Sequence, residues 1–221
     1  MNKRRGTTLI EVIVSLFVIE TVIVGSIFIV SVAFKTVMTI RDTLIAQNLS
    51  REGVEVVRKV INSNLIRYSD AACWNFEPTA TSPQTNCRIQ DFHLGGGIHQ
   101  NYILNFSEID GSPKDFKIDL VSSGASCALD LKTTPPCGDN SYYQLKLGET
   151  NNGKFYTVDS TNPATKFYRM IKITPTYDPT GPDPNKAIKI KVDSIVQWGL
   201  GSSAKEISMS ETFYNNYQKG A

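Results

Sequence analysis

The side chains best placed to do chemistry in this 221-residue chain are two carboxylates where charge is least expected. Across residues 9–34 the only charged side chains are Glu11 and Glu20, and everything around them is apolar or a small hydroxyl. A carboxylate inside an apolar span is costly at a bilayer centre and less so near the interface, so it needs a partner. Nine residues at about 100° each put Glu11 and Glu20 on opposite faces of a helix, so one partner cannot serve both. Four cysteines, Cys73, Cys87, Cys127 and Cys137, allow three pairings. Pairing Cys73 with Cys87 and Cys127 with Cys137 would staple two loop-rich, apolar-poor segments. A zinc site is disfavoured by the lack of a closely spaced cysteine pair. His93 and His99 flank Gly95-Gly96-Gly97 without a nearby acidic or thiol partner, and the triplet lacks phosphate-loop spacing. Asp178 and Asp183 fall in a Pro-rich turn that accounts for them without Ca2+. Asn48 and Asn105 match a glycosylation sequon, which says little by itself. No set of nucleophile, base and orienting group emerges, so no enzyme, cofactor or metal is expected.

These residues sit on elements that the hydrophobic pattern locates. Residues 9–34 would make a helix of roughly 39 Å, longer than the hydrocarbon of a bilayer, and apolar on all sides. From Lys35 to about Asn64 the pattern turns amphipathic. Val37, Ile40, Leu44, Leu49, Val56, Val60 and Ile61 fall near one stripe, with Arg41, Asp42, Arg51, Glu55, Arg58 and Lys59 largely away from it. No strong stop interrupts the helix, although Gly53 costs up to about 1 kcal/mol relative to Ala. Past Arg67, short alternating segments divided by Gly, Pro, Asn and Asp read as strands and turns. Tyr102, Leu104 and Phe106 alternate, as do Phe116, Ile118 and Leu120, and Tyr143, Leu145 and Leu147. The clearest strands are 167–177, 188–198 and 206–214, paired antiparallel, with one face of the middle strand buried and the other wet. The expected fold is α+β: a long N-terminal helix, its first half membrane-spanning, packed on a C-terminal antiparallel sheet.

The segment Arg5-Gly6-Thr7-Thr8-Leu9-Ile10-Glu11-Val12-Ile13-Val14-Ser15-Leu16 resembles the N-terminal signal of type IV prepilins and pseudopilins. That family has a short basic leader ending in Gly, then an aromatic or Met, Thr, Leu, a further apolar residue and Glu, all opening a long apolar helix. The resemblance implies cleavage between Gly6 and Thr7 by a prepilin peptidase, and N-methylation of Thr7, which stands where the family usually has Phe or Met. Glu11 becomes the fifth residue of the processed chain and docks on the terminal amine of a neighbouring subunit. Its plainer role is to favour the positive end of the helix dipole, which leaves the Gly6 junction unexplained. Glu20 is a second intramembrane polar contact, either protonated, hydrogen-bonded to a hydroxyl such as Thr21 or Ser26 of another subunit, or held by a specific partner. The C-terminal strands resemble, more loosely, the tail of pilin-V-type minor pilins.

The implied organisation is a cytoplasmic leader (1–6), a span or filament core (7–34), an amphipathic half-helix (35–66) and an extracytoplasmic β-rich head (67–221). Lys3, Arg4 and Arg5 favour a cytoplasmic N-terminus, and export would let disulfides persist. The expected function is that of a minor pilin-like subunit of a type IV pilus or related filament. Its expected partners are prepilin peptidase, other pilin subunits, the inner-membrane assembly platform and, before assembly, lipid. Removing Lys3, Arg4 and Arg5 from the 23 basic residues leaves 20, against 21 acidic ones. That balance offers no footprint for nucleic acid. The alternative is an uncleaved, single-span anchored binding domain.

Overall fold

The computed structural model describes residues 8–67, 100–107, 115–121, 129–131, 140–150, 153–158, 162–177, 180 and 187–214. Among the described residues one α-helix, α1, runs over Leu9–Arg67, and seven strands follow: β1 (Gln100–Ser107), β2 (Asp115–Leu120), β3 (Gln144–Thr150), β4 (Gly153–Thr157), β5 (Ala164–Tyr177), β6 (Ala187–Trp198) and β7 (Lys205–Tyr214). The chain is α+β, with an apolar N-terminal helix and a C-terminal antiparallel sheet. By compactness it divides into Met1–Ile45 and Ala46–Ala221.

In the first unit, α1 is helical despite many β-branched residues, which lower helix propensity. A helix satisfies every backbone group within the segment, a necessity where no water is available. All residues from 8 to 41 are exposed. This helix is long and apolar enough to cross a membrane, and none of its apolar window is buried.

In the second unit, β5 is the hub of the sheet. One edge pairs with β6 along its length, from Phe167 opposite Trp198 to Tyr177 opposite Ala187. Its other edge is shared between β3, at Tyr168 and Ala164, and β1, at Ile171 and Ile173. Beyond these lie β2 on β1, β4 on β3 and β7 on β6, every pair antiparallel. The last three strands fall within a few residues of their expected positions. The alternation pattern does not announce β4, because Gly153-Lys-Phe-Tyr-Thr is too short to show it. Tyr143 belongs to a 3-10 turn, Asn140–Tyr143, and not to the strand that Leu145 and Leu147 announce.

The sheet buries its inner face under α1. Val56, Val57, Val60 and Ile61 meet Tyr102, Leu104, Ile118, Ile171, Ile173, Ile190 and Val192 in one cluster. Each such fully buried side chain is worth about 1.5–3 kcal/mol. Two expectations need correction. Packing begins at Ala46, whereas Val37, Ile40 and Leu44, placed on the same stripe by periodicity, are exposed. The outer face of the sheet is also not uniformly wet. Leu129, Leu131, Tyr143 and Met170 form a second, smaller cluster there, with Ile195 packed against it.

Candidate functional site

The span presents its chemistry sparingly. The Thr8 carbonyl accepts the amides of Glu11 (3.0 Å) and Val12 (3.3 Å), so Glu11 is the third helical residue, beside the positive end of the dipole. Thr8 and Glu11 also have the spacing of a capping box, a local signal that sequence reading passed over. Six polar side chains occur in residues 9–34. The four hydroxyls all donate to their own helix: Ser15 to Val12 O (2.9 Å), Thr21 to Val18 O (2.9 Å), Ser26 to Val22 O (2.8 Å) and Ser31 to Ile27 O (2.8 Å). The carboxyl groups of Glu11 and Glu20 have no hydrogen-bond or ion-pair partner among the described residues.

This constrains Glu20. A hydroxyl whose single proton is already donated can still accept, but an ionised carboxylate only accepts as well. A neighbouring Thr21 or Ser26 in this rotamer therefore pairs with Glu20 only when Glu20 is protonated. Gly6 and Thr7, the expected cleavage and methylation positions, lie outside the described residues. So do Cys73, Cys87, Cys127 and Cys137, as well as His93, His99, Asp178 and Asp183. Asn48 is exposed on α1 and Asn105 stands in β1. Among the described residues no group of three or more His, Cys, Asp or Glu could hold a metal.

The second unit contains polar contacts that the sequence reading missed. Ser50 donates to Ser194 O at 2.8 Å, and a Cβ on Gly53 would lie 2.3 Å from Ser194 Oγ and 3.1 Å from its Cβ. The helix approaches β6 this closely because Gly53 has no side chain. Next to this contact, Arg169 is buried, with Nη1 3.3 Å from Leu49 O and 3.2 Å from Glu52 Oε2. Burial pulls its guanidinium below the ordinary value, and Glu52 offsets part of that. A signal for it is present in the sequence: alternation places Arg169 on the same face of β5 as Phe167, Ile171 and Ile173.

Two further contacts tie edges down. Arg58 bridges Glu55 and Glu211, each at 2.5 Å, linking α1 to β7 and pushing the guanidinium well above its usual value. On the outer face, Gln197 accepts from Leu131 N at 2.9 Å and donates to Leu129 O and Glu206 Oε2, so one amide holds the short segment 129–131 against the sheet as a strap. Chemically, residues 9–34 offer an apolar helical surface with two acids whose carboxyl groups have no partner among the described residues, and the second unit offers a packed sheet without a catalytic constellation among the described residues. No protein-family model, no curated protein and no solved structure matches this chain.

Proposed function

We propose that this chain is a minor pilin-like subunit of a type IV pilus or related filament. The observation that carries the reading is a juxtaposition at the N-terminus. A basic leader ends at Gly6, and Glu11, five residues on, opens an exposed apolar helix with no partner for its carboxylate among the described residues. Cleavage after Gly6 gives Thr7 a cationic amine four residues before Glu11 in the chain. Joining that amine to the Glu11 of an adjacent subunit neutralises two charges that would otherwise face an apolar medium.

In this reading a prepilin peptidase cuts and methylates the chain, the leader lies in the cytoplasm and the head outside, and the span moves from lipid into a bundle of like helices. Export would let the four cysteines of the head persist as disulfides, in one of three pairings. The membrane-anchor alternative draws on one observation: Thr8 and Glu11 have capping-box spacing, which gives Glu11 a purely local use.

Mass spectrometry of the N-terminus separates the two readings. In cells with the peptidase the chain is expected to begin at Thr7, about six residues lighter, and in cells lacking it to keep the leader. An intact Met1 or Asn2 in both would leave the anchor reading.

A further inference from the structure

β7 ends one side of the sheet. Among the described residues β6 is its one strand neighbour, in a register that runs unbroken from Lys205 opposite Trp198 to Tyr214 opposite Lys189. A ten-residue edge with no proline or bulge presents a row of backbone donors and acceptors that another strand can complete. Most of β7 is exposed, and Met209 is 41% exposed although it stands opposite Ser194, on the face that α1 covers.

The order of side chains along β7 indicates what completes it. Lys205, Ile207, Met209 and Glu211 share one face, and Glu206, Ser208 and Ser210 share the other. An edge that closes on its own copy does so about a two-fold axis, with the two strands antiparallel. With the axis at Ser208, Lys205 of each copy faces Glu211 of the other, Ile207 faces Met209, and Glu206 faces Ser210. Opposite charges and apolar side chains then meet, and no like charges do. Glu211 meets Arg58 through Oε2, so Oε1 remains for a second cation. Moving the axis to Met209 sets Ile207 against Glu211, and moving it to Glu206 sets that carboxylate against itself.

We propose that the β7 edge is a docking site for the β7 edge of a second copy, joining two sheets into one across Ser208. The two-fold reverses the packed stretch of α1, residues 46–67, in one copy relative to the other, so this contact is distinct from side-by-side packing of parallel spans. It depends on the edge alone and holds equally for a filament subunit and for an uncut anchored chain.

Photo-crosslinking of the full-length chain in detergent micelles, with p-benzoylphenylalanine in place of Ser208, tests the pairing. A dimeric product is expected whose crosslink maps to residues 206–210 of the other copy. Lys205→Glu sets like charges opposite one another twice in each dimer, and is expected to raise the dissociation constant, read by sedimentation equilibrium, at least about tenfold. Lys205 is exposed at the end of its strand, so the head is expected to keep its fold in this variant. A dimer held through the spans would give no intermolecular product at residue 208 and would ignore Lys205→Glu. That result, a chain still monomeric at about 100 μM, or crosslinks confined to the same chain would each overturn the proposal.

Discussion

At Gly53 the missing side chain is a packing requirement, and it outweighs the local preference of the helix. Replacing Gly by Ala in a helix interior ordinarily gains about 1 kcal/mol. Here the new methyl meets Ser194 Oγ at 2.3 Å, and overpacking a close interface costs about 1–3 kcal/mol. Gly53→Ala is expected to lower the thermal midpoint of the head, followed by tryptophan fluorescence in detergent. Adding Ser194→Ala is expected to recover part of the loss, since the two positions are in contact. A Gly53→Ala chain as stable as wild type would mean that the helix lifts off freely. Tyr143 supplies a pH-dependent counterpart. Burial pushes its phenol up to about 12, with a hydrogen bond from Asn101 working the other way. Because the folded value is the higher one, the stabilisation is fully present below about pH 10 and is lost as pH rises toward 12, by about 1.4 kcal/mol for each pH unit in that window. Absorbance titration at 295 nm should show a late-ionising tyrosine that Tyr143→Phe removes.

Among the elements, the strap formed by Leu129, Asp130 and Leu131 shows how one side chain can cover a sheet face. Gln197 satisfies the Leu131 amide and the Leu129 carbonyl together, and Leu129 N also points at Met170 Sδ, 3.3 Å away. Gln197→Leu leaves two backbone groups without their partner and is expected to cost about 1–3 kcal/mol, with amide exchange accelerated first at Leu131. Unaltered protection there would show that the strap is held by its leucines alone. This element also marks how far the sequence can be read. Period-two alternation in β5 and β6 places both strands, because Ile171, Ile173, Ile190 and Val192 line one face. The same alternation puts Met170, Ile195 and Gln197 on the other face, but nothing local indicates that a distant strap will cover them. In α1 the error runs the opposite way. Val37, Ile40 and Leu44 continue the stripe, yet periodicity cannot say where the supporting sheet ends. Gly199 (φ +84°) and Gly201 (φ +57°) between β6 and β7 are legible as a turn, since left-handed backbone favours glycine.

For the whole molecule, the reading as a filament subunit turns on Glu11. Glu11→Ala removes no contact among the described residues, so insertion, cleavage and head stability are expected to stay at wild-type levels. Incorporation into filaments is expected to fall at least about tenfold, the scale of losing a desolvated charge pair. Equal recovery of mutant and wild type in sheared filaments would assign Glu11 to its helix terminus instead.

The inward-turned hydroxyls of the span have one more consequence. With Ser15, Thr21, Ser26 and Ser31 all donating to their own backbone, the outside of this rod is chemically an oil with two acidic spots. Transfer from fatty acyl chains to a sheath of other oily rods leaves those four donations intact, so the bulk of the surface has little preference between the two solvents. If the chain is a filament subunit, the choice of medium then falls to two carboxyl groups on opposite sides of the cylinder, and replacing either one should redistribute the chain without changing its shape.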